Sequence, residues 1–358
     1  MIIGFDASRI NKHEKTGVEW YSYYLLRELI NNDKNNKYKL YLRHKLDKIT
    51  LTDNFKQTIL SWPFNKFWTL GRLSLEILLH PPDLLFVPAH NLPPVTAKHN
   101  VVTWHDLAYL KYPQYYSRQE LKSLKYGSRQ MVHRADKIIT VSKFSKSEII
   151  KHYQIPDERI EVIPLGINQS EYQANKTNHL KRKYLIYVGR IEHKKNVINL
   201  LKAFEICRQR NQDLDLILAG PNGYGYQEIL TYAKNSEYSS SIKFLGWINQ
   251  KEKINLIKNA TALIFPSFYE GFGIPILEAF CLKTPVIASQ IEANKEIGAD
   301  ATLYFSPENY EELSEKISLL ITNDDLSKQL ITKGASIVNN YSWQNCALKT
   351  IQLFQKFN

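Results

Sequence analysis

The chain has 358 residues, which is more than one ordinary hydrophobic core requires and fits two domains of typical size. Hydrophobic residues make up 44% and charged residues 23%, as in soluble globular proteins, and no run of eighteen apolar residues predicts a membrane-spanning helix. Residues 1–7 lack a basic stretch, so a signal peptide is not expected. Three widely spaced cysteines, Cys207, Cys281 and Cys346, show no metal or redox spacing and indicate a reduced, cytosolic compartment.

The net charge of +12 is concentrated in the first half of the chain, where residues 1–165 carry 25 Lys and Arg against 16 Asp and Glu. A basic face of this kind suits phosphates or an anionic membrane surface, although a solvated Lys-rich surface explains it equally well. The sequence shows no helix-turn-helix, zinc or RNA-binding signature. Nucleic acid is therefore not an expected partner.

The first half alternates predicted strands with predicted helices. The predicted strands are 2–5, 38–42, 84–87, 101–104 and 137–141, and the predicted helices are 18–30, 118–134 and one that Ser142 begins as N-cap. This alternation predicts a parallel sheet covered by helices, over a first domain of residues 1–167. The polar stretch 168–183 is predicted to be a linker.

The second half repeats the pattern. The predicted strands are 184–188, 214–219, 242–245, 262–265 and 286–288, and the predicted helices are 197–210, 227–234, 251–259, 274–281 and 343–357. We predict an α/β protein with a second domain at 184–341 and a helix at 342–358 that returns to the first domain. Two such Rossmann-like, doubly wound domains would face a central cleft, with the ligand at the carboxyl ends of the strands.

The run 265–279 is the most informative motif, because it reads as a strand, a glycine-flanked turn and a helix start. Gly271 and Gly273 allow a ligand to approach the backbone, and the helix start offers unpaired N–H groups to a phosphate. Glu270 and Glu278 are candidate acceptors for sugar hydroxyls. Taken alone, Glu270 also fits an acid at a helix N-terminus, and Glu278 also fits a solvent-facing helix acid.

A basic loop follows the predicted strand 184–188. Arg190 and Lys195 in this loop would place two positive charges against a diphosphate and stabilise it as a leaving group without a metal ion. Most basic loops are only solvated, so this motif by itself is open to both interpretations.

Two positions in the first half are further candidates. His105 follows a predicted strand and would hydrogen-bond a sugar, although a buried structural histidine is an equal alternative. Gly17 lies between the first strand and first helix, where a backbone N–H would approach phosphates. Asp213 and Asp215 have the spacing of a metal motif, but they are interpreted as a polar turn before a strand at 216–219. No metal site is predicted.

These motifs together resemble family 4 of the retaining glycosyltransferases, which have the GT-B fold. The matching stretches are 16–18, 105–106, 141–145, 162–167, 187–196, 218–220, 244–246 and 265–289. Within the family, the similarity is to bacterial mannosyltransferases of O-antigen and capsule assembly. Two departures concern the donor: residues 17–19 read Gly-Val-Glu where many relatives have further glycines, and 291–296 lacks the usual small residues and proline.

The resemblance implies metal-independent transfer of a hexose, mannose above all, with retention, from a GDP- or UDP-sugar to a saccharide or lipid-linked saccharide. It implies no cofactor beyond this donor substrate. It assigns the diphosphate to Arg190 and Lys195, the ribose to Glu278 and the sugar hydroxyls to Glu270. The other expected contacts to donor or reacting sugar come from Gly17, His105, Gly271, Phe272 and Gly273.

Three other functions remain open from the residues: a nucleotide-sugar epimerase, a glycosidase and a non-catalytic carbohydrate- or membrane-binding protein. Peripheral contact with the inner face of the cell membrane is a further hypothesis, with packing within the domain as its alternative. It depends on a set of aromatic and basic residues in the basic first domain: Trp62, Phe64, Lys66, Phe67, Trp68 and Arg72.

Overall fold

The computed structural model describes residues 1–11, 15–46, 49–64, 67–89, 91–172 and 183–357. These residues form two compact units. Unit 1 comprises Met1–Leu107, Arg118–Gly166 and Ser342–Asn358, and unit 2 comprises Ala108–Ser117 and Ile167–Tyr341. Most of the linker predicted at 168–183 lies outside the described residues, and its last described part before the gap is a 3₁₀ turn at Gln169–Tyr172.

The helices and strands follow one another in a regular order in both halves of the chain. In the first half they are β1 (Ile2–Asp6), α1 (Gly17–Asn32), β2 (Lys37–Leu42), β3 (Phe55–Ile59), α2 (Ser74–Leu79), β4 (Leu84–Val87), β5 (His99–Trp104), α3 (Ala108–Lys111), α4 (Arg118–Arg134), β6 (Lys137–Thr140), α5 (Lys143–Tyr153) and β7 (Ile160–Val162). In the second half they are β8 (Lys183–Val188), α6 (Val197–Arg210), β9 (Leu214–Ala219), α7 (Tyr226–Asn235), β10 (Ile242–Gly246), α8 (Gln250–Lys258), β11 (Ala262–Phe265), α9 (Ile274–Cys281), β12 (Val286–Ser289), α10 (Glu292–Gly298), β13 (Thr302–Phe305), α11 (Tyr310–Thr322), α12 (Asp324–Val338) and α13 (Trp343–Gln355).

The sheet of unit 1 is parallel, with the strand order β3-β2-β1-β4-β5-β6-β7. Its central strand β4 is buried at every position, as expected for a strand that helices cover on both faces. The chain order reverses between β1 and β4. In a doubly wound sheet, this switch point is where the loops at the carboxyl ends of the strands separate and leave room for a ligand.

The last helix of the chain, α13, packs on α1 within unit 1. The indole ring of Trp343 stacks on Tyr24 at 5.3 Å, with 18° between the ring planes. Gly166 allows this approach, because a Cβ atom there would lie 2.0 Å from the backbone nitrogen of Trp343. The C-terminal helix is thus part of the core of unit 1.

The sheet of unit 2 is also parallel, with the order β10-β9-β8-β11-β12-β13 and the switch point between β8 and β11. Strands β9, β11 and β12 are buried along their whole length. A continuous apolar core lies between the sheet and α6, α7, α11 and α12. This rigid frame positions the loops that follow β8 and β11.

Three strands of the structure, β3, β7 and β13, are absent from the sequence prediction, and each lies at the edge of a sheet. Edge strands are half exposed, so their apolar pattern is weak; in β3 only Phe55 is buried. One prediction is wrong: β9 begins at Leu214, so Asp215 lies inside the strand and not in a turn before it. Asp215 is 5% exposed and pairs with Lys243 at 2.8 Å.

Candidate functional site

The two loops that carry most of the predicted donor contacts follow β8 and β11, which are neighbours at the switch point of unit 2. Because both strands are parallel and paired, their loops emerge side by side. Asn196 links the loops: its side-chain amide donates to the carbonyl oxygens of Pro266 at 3.0 Å and Pro307 at 2.6 Å. The loops that follow β8 and β11 therefore lie together at one edge of the sheet.

Lys195 and Glu270 meet at this edge. The Lys195 Nζ lies 2.5 Å from Glu270 Oε1, and their side chains are 18% and 14% exposed. The hydroxyl of Ser267 donates to the same carboxylate oxygen at 2.6 Å. The ammonium group is thus held by a carboxylate that is itself fixed, and it stays close enough to the surface to meet an anion.

A series of buried hydrogen bonds fixes Ser267, a residue that donates to Glu270. Ser289 Oγ donates to the carbonyl of Ser267 at 2.5 Å, and Asn294 Nδ2 donates to Ser289 Oγ at 3.0 Å. All three side chains are fully buried. Buried hydrogen bonds of this kind fix the loop, because breaking one leaves an unpaired polar group in the core.

Arg190 follows β8 on the same loop as Lys195, but its side chain is 47% exposed. Its one ion pair among the described residues is with Glu192, at 3.9 Å. Its backbone carbonyl accepts a hydrogen bond from the Tyr187 hydroxyl at 2.7 Å, which fixes the main chain at this point. Arg190 is thus on the same loop as Lys195, but its side chain makes no hydrogen bond to Lys195 or Glu270 among the described residues.

The glycine turn leads directly into α9. Gly271, Phe272 and Gly273 are buried, and Phe272 packs edge-on against Tyr341 at 5.8 Å. Gly273 has φ 137°, a conformation that residues with a Cβ rarely adopt. This backbone brings the N–H groups at the start of α9 to the same edge as Glu270, as the motif predicts.

Glu278 lies about one turn into α9 and is 4% exposed. Its Oε1 accepts hydrogen bonds from Lys253 Nζ at 2.6 Å and from the Tyr172 hydroxyl at 2.8 Å. The sequence prediction of a solvent-facing acid as the alternative role for Glu278 is wrong, because this carboxylate is buried and held by two donors.

A short aromatic segment, Ala108–Ser117, packs against these loops within unit 2. Tyr115 stacks on His193 at 5.8 Å and on Phe268 at 6.1 Å, and Lys194 Nζ donates to the Tyr116 hydroxyl at 3.0 Å. His193 and Phe268 belong to the loops that follow β8 and β11. The segment therefore packs against both loops and holds them in place. Nothing in its sequence predicted this role.

His105 lies in unit 1 at the carboxyl end of β5, as predicted. It is 9% exposed, its Nε2 lies 3.1 Å from the carbonyl oxygen of Pro88, and Tyr21 packs edge-on against its ring at 4.9 Å. A carbonyl can only accept, so Nε2 carries the proton in this contact. The ring orientation is therefore fixed by its own unit.

Gly17 is the first residue of α1, and a Cβ there would meet nothing within 4 Å. The start of this helix is capped by its own chain: the backbone N–H of Thr16 donates to Glu19 Oε2 at 3.1 Å. Glu19 is 2% exposed and lies 3.7 Å from Arg9. The predicted approach of phosphate to Gly17 thus meets a helix start that already holds a carboxylate.

Ser267, Lys253 and Tyr172 are the residues of this region that sequence reasoning missed. Ser267 stands three residues before Glu270, a spacing that a local hydrogen bond would have suggested. Tyr172 lies within the predicted linker, and Lys253 lies on a polar helix, so neither position carries a signal along the chain. Within the described ranges, no group of three or more His, Cys, Asp or Glu side chains has the arrangement of a metal site.

Two solved structures are similar to the chain over almost its full length. Sucrose-phosphate synthase from Thermosynechococcus elongatus has a TM-score of 0.77 at 18% identity, with 99% of this chain and 98% of that chain covered. Anabaena Alr3699/HepE, solved in complex with UDP-glucose, has a TM-score of 0.76 at 15% identity, with 99% of each chain covered. These similarities concern the fold.

Relatives that are similar in sequence include two O-antigen chain mannosyltransferases. O-antigen chain mannosyltransferase B of Escherichia coli is 27% identical over 303 residues, which cover 82% of this chain and 77% of the relative. O-antigen chain mannosyltransferase RfbU of Salmonella typhimurium is 27% identical over 288 residues, which cover 80% and 76%.

Two family models match adjoining parts of the chain. The model described as Glycosyltransferase Family 4 matches residues 16–171, and the model described as Glycosyl transferases group 1 matches residues 168–336. Each model corresponds to one of the two parallel-sheet domains. The chain therefore has the GT-B fold and consists of a Glycosyltransferase Family 4 domain followed by a Glycosyl transferases group 1 domain.

Proposed function

We propose that this glycosyltransferase moves a hexose, with mannose favoured, from a GDP- or UDP-sugar to a saccharide or lipid-linked saccharide, with retention, in surface polysaccharide synthesis. The observation that carries the proposal is the Lys195–Glu270 pair at the carboxyl ends of β8 and β11. The choice of mannose and of a polysaccharide acceptor is supported by the two relatives, which are named O-antigen chain mannosyltransferases. A nucleotide-sugar donor is supported by the similar Anabaena protein, which was solved with UDP-glucose.

In the proposed reaction, the bond between the anomeric carbon and the diphosphate oxygen breaks while the acceptor oxygen bonds to the same face of that carbon. The proton of the acceptor hydroxyl passes to the departing phosphate oxygen. Lys195 and Arg190 stabilise the growing negative charge of the diphosphate, which is the step that the protein accelerates without a metal ion. Arg190 is exposed enough to swing towards the phosphates from its 3.9 Å contact with Glu192.

The remaining site residues have supporting roles in this proposal. Glu270 accepts hydrogen bonds from hydroxyls of the donor sugar and Glu278 from those of the ribose. The backbone of residues 271–273 lies beside the sugar and the phosphates. His105 approaches the reacting sugar, and Gly17 approaches the phosphates.

Donor binding is tested by thermal unfolding with GDP, UDP, ADP and the matching nucleotide sugars. A ligand at 100 times its Kd raises the free energy of unfolding by about 2.7 kcal/mol, which is measurable. We expect GDP or UDP to stabilise the wild-type protein and Arg190→Ala to reduce that effect. The absence of stabilisation by every nucleotide would contradict the proposed donor site.

Turnover assays distinguish the proposal from its alternatives. With GDP-mannose and a mannose-terminated oligosaccharide, release of GDP should depend on the acceptor, and NMR of the product should show the anomeric configuration of the donor. An epimerase would convert the sugar nucleotide without an acceptor, and a glycosidase would act without nucleotide. Unchanged rates in the presence of EDTA are expected from the proposed metal independence.

We also propose peripheral contact of unit 1 with an anionic bilayer, which suits a lipid-linked acceptor. An apolar surface near α2 is formed by Phe64, Phe67, Leu75, Leu78 and Leu79, which are between 48% and 67% exposed. Trp68 is a correction to the sequence hypothesis: it is 1% exposed and donates to the carbonyl of Leu60 at 3.0 Å. Lys66 lies outside the described residues.

The charge argument for this contact comes from α4. Its exposed face carries a row of basic residues at helical spacing: Arg118, Lys122, Lys125 and Arg129. The connections β3–α2–β4 and β5–α4–β6 run in the same direction across the sheet, and right-handed crossovers place both helices on the same face. Apolar and basic residues on one face are the combination that binds an anionic membrane surface.

Sedimentation with vesicles tests this contact. The protein should sediment with phosphatidylglycerol vesicles at low salt and less with phosphatidylcholine vesicles, and Leu78→Ser with Leu79→Ser should weaken binding. Leu319→Ser, at a similarly exposed position of unit 2, is the matched control. Equal sedimentation of the two variants would contradict the proposed surface. No helix of the described chain is long and apolar enough to cross a membrane.

A further inference from the structure

The buried carboxylate of Glu278 receives both of its hydrogen bonds on one oxygen. Lys253 Nζ and the Tyr172 hydroxyl both donate to Oε1, at 2.6 Å and 2.8 Å. The other oxygen, Oε2, accepts no hydrogen bond from the described residues, yet it is not among the fully buried polar atoms. One oxygen is therefore fully used by the protein, while the other is left for a ligand.

The Tyr172 hydroxyl has its proton directed at Glu278 by a third residue. The Gln250 side-chain amide donates to the Tyr172 oxygen at 3.0 Å, so that oxygen is an acceptor towards Gln250. The hydroxyl proton is then free to point at Oε1 of Glu278. A chain of hydrogen bonds thus fixes the direction of the donor as well as its distance.

Lys253 supplies the charge that a carboxylate at this depth needs. The Glu278 side chain is 6% exposed and that of Lys253 is 17% exposed. Removing a carboxylate from water is costly unless a cation lies beside it. The Lys253 ammonium offsets that cost, and hydrogen bonds from hydroxyl groups to a carboxylate are stronger than those to neutral acceptors.

We infer that Lys253 and Tyr172 are positioning residues that fix the carboxylate of Glu278 and aim its Oε2 at the ribose of the nucleotide. This inference rests on the proposed function, in which Glu278 accepts hydrogen bonds from ribose hydroxyls. It adds two residues on separate elements, the 3₁₀ turn at Gln169–Tyr172 and α8, and both act on the ligand through their hydrogen bonds to Glu278.

A purely structural role would give a different result. In that case the contact would only tie α8 and the turn at 169–172 to α9. The loss of Lys253 would then reduce the affinity for every nucleotide by the same factor. A positioning role instead changes the discrimination between a ribose and a sugar without its hydroxyl groups. The ratio of two affinities measured on the same variant separates the two cases.

The probes are GDP and UDP, each compared with its 2′,3′-dideoxy analogue by isothermal titration calorimetry. Hydrogen bonds to a charged group correspond to a preference of roughly 10- to 100-fold. We expect the wild-type protein to prefer one of the ribonucleotides to its dideoxy analogue by that factor. Lys253→Met, Tyr172→Phe and Glu278→Gln should each bring the ratio to within about 3-fold of unity, while affinity for the dideoxy analogue changes little.

Lys243→Met is the matched control, because Lys243 also pairs with a buried carboxylate in unit 2, at 2.8 Å from Asp215. It should keep the wild-type ratio. Tyr172→Phe removes a single oxygen, so it provides the answer if Lys253→Met does not fold.

Two results would overturn the inference, and they are distinguishable. If Glu278→Gln loses the preference while Lys253→Met and Tyr172→Phe keep it, Glu278 binds ribose without their help, and the proposed function stands. If the wild-type protein shows no preference for ribose, Glu278 does not bind it, and the proposed role of Glu278 fails together with the inference.

Discussion

The ammonium group of Lys195 lies 2.5 Å from Oε1 of Glu270, although 75 residues separate them along the chain. The parallel pairing of β8 and β11 brings their loops together, and Asn196 then ties one loop to the other. A diphosphate that approaches Lys195 thus meets a cation whose position is already set. Such preorganised charge is more effective in catalysis than a freely mobile side chain.

Lys195→Ala is expected to reduce kcat by about 100- to 1,000-fold, because loss of a preorganised charge contact to the transition state costs about 3–4 kcal/mol. The effect is measured as nucleoside diphosphate released per unit time at saturating donor. The thermal midpoint should change far less than the activity.

Lys333→Ala is the control for that experiment. Lys333 pairs with Asp300 at 2.9 Å on the surface of unit 2, and neither residue is among the predicted donor contacts. It should retain wild-type turnover. Undiminished turnover in Lys195→Ala would remove Lys195 from the mechanism.

Ser267→Ala removes the 2.6 Å hydrogen bond to Glu270 and leaves the Lys195 contact in place. We expect about a 10-fold lower kcat/KM, because hydrogen bonds to charged groups contribute about 1.5–3 kcal/mol. Steady-state kinetics with varied donor would measure it. Ser314→Ala is matched in burial and in losing one local hydrogen bond, to the Glu311 carbonyl at 2.7 Å, and should behave like wild type.

Gly273→Ala should weaken donor binding as well as folding. Its φ of 137° is strained for alanine, at a cost of about 1–3 kcal/mol. Gly246→Ala is the control, with a smaller backbone penalty at φ 66° and open space above it, at the end of β10. Chemical unfolding should show both variants destabilised, and nucleotide titration should show reduced affinity for Gly273→Ala alone. Equal affinities would mean that the turn does not contact the donor.

The buried thiols should make the protein less stable at high pH. Burial raises the pKa of Cys207 to about 11 and that of Cys346 to about 12, from an ordinary value of 9.0. The folded state therefore favours the protonated thiols. Their stabilising effect is complete below pH 9 and is lost as the pH rises from 9 towards 11–12, by up to about 1.4 kcal/mol per pH unit for each thiol.

Urea unfolding at pH 8, 9 and 10 would measure this loss of stability, and Cys207→Ala should flatten the dependence. The same burial predicts slow reaction with a thiol reagent at pH 8, since only the thiolate reacts, and fast reaction in 6 M guanidinium chloride. Rapid modification of the native protein at pH 8 would contradict the prediction.

Much of the fold was predictable because central parallel strands are continuous apolar runs. Strand β4 and helices α4, α6 and α9 have the predicted bounds, and Ser142 caps α5 through the backbone N–H of Ser145 at 3.0 Å, as predicted. Of the four edge strands in the described sheets, only β10 was predicted; β3, β7 and β13 were missed, because only one side of an edge strand has a neighbouring strand. Their residues carry a mixed pattern that the sequence does not distinguish from a loop.

Parts of the candidate site were predictable for a different reason. Glu270, Gly273 and Glu278 belong to one continuous motif, so their positions follow from local strand–turn–helix geometry. Tyr172 and Lys253 reach Glu278 from other elements, at separations of 106 and 25 residues, and only the packing of the turn and α8 against α9 brings them there. Such contacts leave no spacing pattern in one sequence.

The carboxylate of Glu19 has a consequence for how binding energy is divided within the protein. It accepts the backbone N–H of Thr16 at 3.1 Å, so an incoming phosphate at this helix start would face a negative charge and have to displace it. Most of the affinity for a nucleoside diphosphate should then come from unit 2, with Gly17 contributing little, and unit 1 would be freer to select the acceptor. Substitutions in unit 1 that broaden the range of acceptors would then leave the affinity for the donor unchanged.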